Sequence, residues 1–218
     1  MRKGKDKTKD QSYVLYMLDQ KKLARILFPL GGLTKKEVRD IARKFKLPVA
    51  DKKESQEICF VPNDDYGEYL RKSLGRKIKP GPIIDTKGKV IGKHEGIVFY
   101  TVGQRRGLGI SAPHPLYVVS IDKRRNAIIV GDRKETLGRD LVAKGASWVS
   151  GKAPGRGLRV NAKIRYNARD SKAKIFPVGS SAVKVRFAVP QHAITPGQSV
   201  VFYKGDSVLG GAIIEGLS

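Results

Sequence analysis

A single cysteine, Cys59, is present in 218 residues, so no intrachain disulfide can form. The three histidines, His94, His114 and His192, are scattered and have no paired ligand spacing. With one thiol they make no zinc-spaced cluster; all three are expected to be non-catalytic, and no metal site is expected. Nowhere is there a run of about 18 apolar residues, the minimum for a spanning helix. The opening MRKGKDKTKD is charged with no apolar stretch behind it, so it does not read as a secretory signal. The expectation from these deficits is a soluble protein in a reducing, cytoplasmic setting. Acidic residues are scarce as well, with 20 Asp and Glu against 44 Lys and Arg, a formal net charge of +24. An excess of that size points to a polyanion, because each phosphate contact releases counterions. A membrane surface would suit the sign, but no basic amphipathic helix with a strong apolar face is present. A solvated basic surface that aids solubility is the plainer alternative.

What is present is enough for a packed core: 40% hydrophobic and 7% aromatic residues, in one large domain or two to three small ones. There is no long repeat and no low-complexity tract. From Gln11, the stretch QSYVLYMLDQKKLARILF spaces Val14, Leu15, Leu18, Leu23, Ile26 and Leu27 as a helix, broken by Pro29, Gly31 and Gly32. Thr34 followed by Glu37 is a capping box, with Val38, Ile41, Ala42 and Phe45 behind it at helical spacing and Pro48 as the stop. These helices have one apolar face each and nothing obvious before them to pack against, so they read as the tail of a larger domain. DDYGEYLRKSLG predicts a short helix ending at Gly75.

From Pro80 the period changes to alternation. PGPIIDTKGKVIGKHEG predicts two strands around a turn at Asp85 to Gly88, and LYVVSIDKRRNAIIVG a second hairpin turning at Asp122 to Asn126. Near Asp140 a new unit begins. LVAKGASWV, LRVNAKIRY, KAKIFPV, AVKVRFAV, QSVVFY and VLGGAIIE predict six short strands, which suggest a small closed barrel without exposed edges.

Four places could carry chemistry. Cys59 in ICFV is either a small buried hydrophobe or a reactive thiolate favoured by nearby cations, and composition does not decide between them. The segment YTVGQRRGLGI fits neither a dinucleotide nor a P-loop fingerprint. Its glycines permit close backbone approach, and Gln104, Arg105 and Arg106 can meet phosphates; otherwise it is a loop with solvated arginines. Arg165 and Tyr166 pair a phosphate-binding group with a ring that can stack on an unpaired base, or they are an ordinary strand end. Gln198, in the turn TPGQ, could cap that turn or touch RNA.

Read together, KDQSYVLYML, LFPLGGLTKKEVRDIA, SQEICFVP, GKHEGIVFYTVGQRRGLGI, LYVVSID and ITPGQSVVFY resemble the tRNA-specific 2-thiouridylase family, in order and over nearly the whole chain. The resemblance implies an enzyme that replaces the C2 oxygen of the wobble uridine in a tRNA anticodon with sulfur. ATP adenylates that oxygen, and a cysteine persulfide delivers the sulfur. The implied fold class is α+β. Residues 1–76 would be the short helical tail of an α/β ATP-pyrophosphatase domain with the Cys59 loop. Residues 77–138 would be a small central β domain, and 139–218 a C-terminal six-stranded, RNA-binding β-barrel. Carried over motif by motif, Cys59 in SQEICF would bear the persulfide. Lys9, Asp10 and Gln11 in KDQSY, with Arg165, Tyr166 and Gln198, would contact tRNA, and Arg105 and Arg106 are further candidates. The family's glycine- and serine-rich ATP loop and its first catalytic cysteine find no match in these residues, so ATP is the expected family cofactor with no site expected here. Expected partners are tRNA, a cysteine desulfurase or sulfur-relay protein, and a separate N-terminal ATP-binding half. The alternative is a non-catalytic tRNA-binding module or split subunit.

Overall fold

The computed structural model describes residues 1–52, 61 and 65–217. Among them are helices α1 (Gln20–Leu23), α2 (Lys35–Lys44) and α3 (Tyr66–Leu74) and strands β1 (Gly81–Asp85), β2 (Val90–His94), β3 (Tyr117–Asp122) and β4 (Ala127–Gly131). The remaining strands are β5 (Leu137–Trp148), β6 (Leu158–Lys163), β7 (Ser171–Val178), β8 (Ala182–His192), β9 (Ser199–Lys204) and β10 (Ser207–Leu217). The chain divides into two compact units. One joins Met1–Lys53 to Arg139–Gln191 and Thr195–Ser218; the other is Glu54–Gly138 with His192–Ile194.

In the second unit both predicted hairpins form. The Asp85 carboxylate accepts from the amides of Lys87 and Lys89 at 2.9 and 2.8 Å, closing the first turn on the left-handed Gly88. Asp122 does the same for Arg124 and Arg125 at 2.9 and 3.0 Å, with Asn126 at φ 49°. The hairpins join through a parallel pairing of β1 and β4, Ile83 opposite Ile128, giving the order β2-β1-β4-β3. Ile83, Val118, Ile128 and Val130 are fully buried beneath Leu108. Helix α3 starts on Asp65, whose side chain accepts from the Glu68 amide at 2.8 Å, and stops at Gly75, where φ is 47°.

The first unit holds a closed barrel in the order β10-β5-β8-β7-β6-β9, built from the six predicted strand segments. Strands β6 to β8 alternate buried and open positions, as a sheet with one wet face must. Strand β9 breaks that alternation: Val200, Val201, Phe202 and Tyr203 are all fully buried. Phe202 stacks on Trp148 with ring centres 5.6 Å apart, while Val201 and Tyr203, on the opposite face, pack against Tyr13, Tyr16, Val149 and Val208. A strand covered on both sides needs a second layer, and residues 1–23 supply it. Arg2 bridges to Ser207, and the Lys3 amide donates to the Asp206 carbonyl at 2.8 Å. The approach is close at Gly211, where a Cβ would lie 2.7 Å from the Tyr16 ring and 2.7 Å from the Val200 carbonyl oxygen.

That layer corrects the long helix expected from Gln11. Residues 12–14 and 16–17 are turns, and only Gln20–Leu23 is helical, started by Asp19. The Asp10 carboxylate accepts from Gly4 N, Ser12 N and Ser12 Oγ at 2.9, 3.1 and 2.7 Å, an alternative to helical hydrogen bonds. The buried side chains are Tyr13 and Tyr16, whereas Val14 from the expected apolar face is 50% exposed. Tertiary packing overrode the 3.6-residue pattern. Helix α2 keeps its capping box: Thr34 Oγ1 accepts from Glu37 N at 3.3 Å, and Glu37 Oε2 accepts from Thr34 N at 2.6 Å. None of its residues is buried; Ile41, Phe45 and Leu47 stand exposed.

Candidate RNA-binding site

Strand β6 positions the first half of the site. Val160, Ala162 and Ile164 alternate into the barrel, so Lys163 and Arg165 take the outward positions, with Tyr166 just beyond. The segment around Asp10 supplies the other half. Gln11 Nε2 donates to the Tyr166 hydroxyl at 2.7 Å, joining residues 155 apart in sequence. The Tyr13 and Tyr166 rings meet edge-to-face, with centres 6.3 Å apart at 64°. Lys163 Nζ lies 5.8 Å from the Tyr13 ring centre and 5.6 Å from that of Tyr166. The Tyr13 hydroxyl donates to the Ser199 carbonyl at 2.7 Å, and Ser199 follows Gln198. Gln198 caps its own turn through its backbone: its amide donates to Thr195 at 3.2 Å, and its carbonyl accepts from Ile214 at 2.8 Å.

Gln11, Arg165 and Tyr166 are thus brought together, with Gln198 adjacent to the residue that anchors Tyr13. Asp10 works as the internal acceptor that shapes the segment, and Lys9 stands exposed beside it. Arg105 and Arg106 belong to the other unit. Cys59 lies outside the described residues.

Burial sets the electrostatics. It pushes the phenols of Tyr13 and Tyr203 up to about 12, so both stay neutral at physiological pH. Burial also lowers the proton affinity of Lys163 and Arg165. Beneath them Lys3 pairs with Asp170 at 2.8 Å and sits 4.2 Å from the Tyr203 ring centre. Burial works against the charge on Asp170, yet the Lys3 hydrogen bond and charge hold it below the usual carboxylate range. The outcome is a rigid platform of aromatic edges and partly desolvated cations. Tyr166, 36% exposed, presents an open ring beside these cations, a combination able to take an unpaired base and its phosphate.

In the other unit, the glycine-rich loop after Tyr100 is organised by Gln104. Its Oε1 accepts from Thr101 N at 3.0 Å, and its Nε2 donates to the Arg106 carbonyl at 2.9 Å. Gly103, Gly107 and Gly109 all have left-handed φ, and the clamp leaves Arg105 and Arg106 exposed. A shallow cavity of about 580 Å³ opens beside Arg105, between Leu108, Ile110, His114 and Leu116. The three histidines have structural partners: His94 Nε2 with the Asn126 carbonyl at 2.9 Å, His114 with Asp132 at 3.1 Å, and His192 with Thr136 Oγ1 at 2.8 Å. Among the described residues no group of His, Cys, Asp or Glu is placed to hold a metal ion. The 103–109 loop leads into β3 rather than a helix, so it does not offer a nucleotide triphosphate the amide cradle of a strand–loop–helix unit. Among the described residues no helix is long and apolar enough to cross a membrane.

Several members of the platform escape a reading of the sequence alone: Tyr13, Tyr16, Tyr203, Lys3, Lys163 and Asp170. The available signals were the paired tyrosines of SYVLY next to KDQ, and the position of Lys163 on the same outward face as Arg165.

Comparison with known proteins agrees with this anatomy. Residues 1–63 match a family model described as a tRNA methyl transferase HUP domain, 67–132 a tRNA methyl transferase PRC-barrel domain, and 138–214 an aminomethyltransferase beta-barrel domain. The tRNA-specific 2-thiouridylase MnmA 1 of Caldanaerobacter subterraneus subsp. tengcongensis is 51% identical over 215 residues, covering 99% of this chain and 59% of that relative. The tRNA-specific 2-thiouridylase MnmA of Chlorobium chlorochromatii is 50% identical over 216 residues, 98% of this chain and 60% of its own length. That of Moorella thermoacetica is 49% identical over 217 residues, with 99% and 60% covered. The chain therefore spans about 59% of the length of the curated relatives it matches. The family models carry methyl-transfer descriptions, but near-50% identity along almost the entire chain ties it more tightly to the thiouridylases. With the three family models matched in order over 1–63, 67–132 and 138–214, and identity near 50% along almost the entire chain, the chain belongs to the tRNA-specific 2-thiouridylase family.

Proposed function

We propose that this chain holds tRNA and delivers sulfur to it in the 2-thiolation of the wobble uridine. The observation that carries the RNA part is the Gln11–Tyr166 hydrogen bond, which joins the two motifs expected to contact tRNA into one basic, aromatic surface. Lys9, Asp10, Gln11, Arg165, Tyr166 and Gln198 form the contact set, in which Asp10 shapes the backbone, Arg165 meets phosphate, and Tyr166 stacks on a base. Arg105 and Arg106 add a second contact from the clamped glycine loop. Cys59 carries the persulfide, charged by a cysteine desulfurase or relay protein in the cytoplasm. Its outer sulfur attacks C2 of the adenylated base, and AMP leaves with the former C2 oxygen. A cysteine of the nucleotide-binding half, since this chain has only Cys59, then attacks the Cys59 sulfur, forming a disulfide and leaving the transferred sulfur on C2. Activation by ATP is assigned to no residue of this chain and calls for a nucleotide-binding half that works with it.

The test separates binding from chemistry. The 218-residue chain should bind tRNA with affinity that falls steeply as salt rises, and should not bind ATP. Supplied with the nucleotide-binding half of a relative, it should thiolate tRNA, and Cys59→Ser should abolish product while leaving tRNA affinity unchanged. Thiolation that persists in Cys59→Ser would overturn the sulfur-carrier role. Salt-insensitive or absent tRNA binding would overturn the RNA role.

A further inference from the structure

Lys163 is outside the contact set above, yet it is a half-buried cation with no carboxylate paired to it among the described residues. Lys3 is matched by Asp170 at 2.8 Å, and the carboxylate of Asp10 is already engaged by Gly4 and Ser12. Lys163 is half-buried, with two tyrosine ring centres 5.8 and 5.6 Å from its ammonium. Among the described residues no carboxylate pairs with it. Ring faces at such distances do not replace the hydration an ammonium loses on burial. Two rings satisfy none of its three N–H donors with an oxygen. Burial accordingly lowers its proton affinity; Asp10 and Asp170 act against that loss and Lys3 adds to it.

An anion would correct the imbalance, and the place for one is defined. Tyr166 is held in orientation by Gln11, its ring partly open, with the ammonium over its face. We propose that Lys163 binds the backbone phosphate next to the base that stacks on Tyr166, so that ring and ammonium together hold one nucleotide of single-stranded tRNA. This rests on the reading of the Gln11–Tyr166 surface as a tRNA contact. It makes Lys163 a positioning residue, with the phosphodiester supplying acceptor oxygens that no carboxylate among the described residues supplies by pairing with it.

The experiment is a titration of fluorescently labelled tRNA with the full chain, as wild type, Lys163→Ala and Lys163→Arg, across a salt series and at neutral and alkaline pH. Lys163→Ala should weaken binding about tenfold and flatten the slope of log K against log salt by roughly 0.7 to 0.9, the signature of one lost phosphate contact. Lys163→Arg should restore both affinity and slope. Wild-type affinity should fall earlier than that of Lys163→Arg as pH rises, because arginine keeps its proton. Thermal melting reports whether the alanine variant folds. Wild-type affinity and slope in Lys163→Ala would overturn the proposal, as would a loss that arginine does not rescue. A wild-type chain that binds no tRNA would sink the underlying reading as well, so the two failures look different.

Discussion

Replacing Gly211 by alanine adds one methyl group at the tightest point between residues 1–23 and the barrel. The new Cβ would lie 2.7 Å from Tyr16 Cδ2 and 2.7 Å from the Val200 carbonyl oxygen, where real contacts need about 3.4 Å or more. The carbonyl belongs to β9, which pairs with β10, so it cannot retreat without straining the ladder. The ring can move, but Tyr16 is only 2% exposed. Expelling it entirely would forfeit about 4 to 5 kcal/mol, taking roughly 150 to 200 Å² of ring surface at 25 cal/mol per Å². A local shift is cheaper, and overpacking of this kind costs about 1 to 3 kcal/mol. The expected loss is therefore about 2 to 3 kcal/mol, a fall in melting temperature of roughly 5 to 10 °C. Gly216→Ala, on the same strand with nothing within 4 Å of its Cβ, is the control and should be near neutral. Because Tyr13 and Gln11 sit on the same segment, Gly211→Ala should also weaken tRNA binding, whereas Gly216→Ala should not. Adding Tyr16→Ala should remove the ring's share of the clash, leaving the carbonyl's, so the double-mutant cycle should show coupling. A melting temperature within about 1 °C of wild type for Gly211→Ala, with full coupling to tRNA retained, would refute the packing of residues 1–23 as the second layer.

The phenols of Tyr13 and Tyr203 stand at about 12, raised by burial, so in an ultraviolet titration they should ionise well after the exposed tyrosines. Their folded values lie above the ordinary 10, so the stability they contribute is complete below pH 10 and is lost as pH rises toward about 12; a single tyrosine transition near 10 would contradict this. Glu37 is held at about 2, first by the Lys5 hydrogen bond and then by Thr34. Its value is depressed, so its support for α2 is present above the ordinary 4.5 and disappears as pH falls toward 2; Glu37→Gln should erase that acid response in amide chemical shifts of Thr34 and Glu37. Arg105→Ala with Arg106→Ala should lower tRNA affinity and the salt slope by up to about two phosphate contacts without moving the melting temperature, since both are exposed. An unchanged salt slope would remove the glycine loop from the contact set.

Local chemistry decided much of this molecule in advance. Thr34 and Glu37 cap α2, Asp85 and Asp122 close the two hairpins, and six short alternating stretches make the barrel strands, because each depends on groups a few residues apart. The charge of +24 likewise needs no fold to raise the expectation of a polyanionic partner. The apolar spacing after Gln11 misled, since a local period cannot know that β9 lies bare on its outer face until Tyr13 and Tyr16 cover it. The run VVFY held a hint: four consecutive buried residues demand cover on both sides, though the sequence does not say from where. Only tertiary structure could place Gln11 on Tyr166 and set Lys163 between two rings, because those relations span some 150 residues and arise when a terminal segment closes on a barrel. Short-range hydrogen bonds and hydrophobic alternation are written in adjacent residues, whereas a shared surface is created by the burial that brings distant ones together.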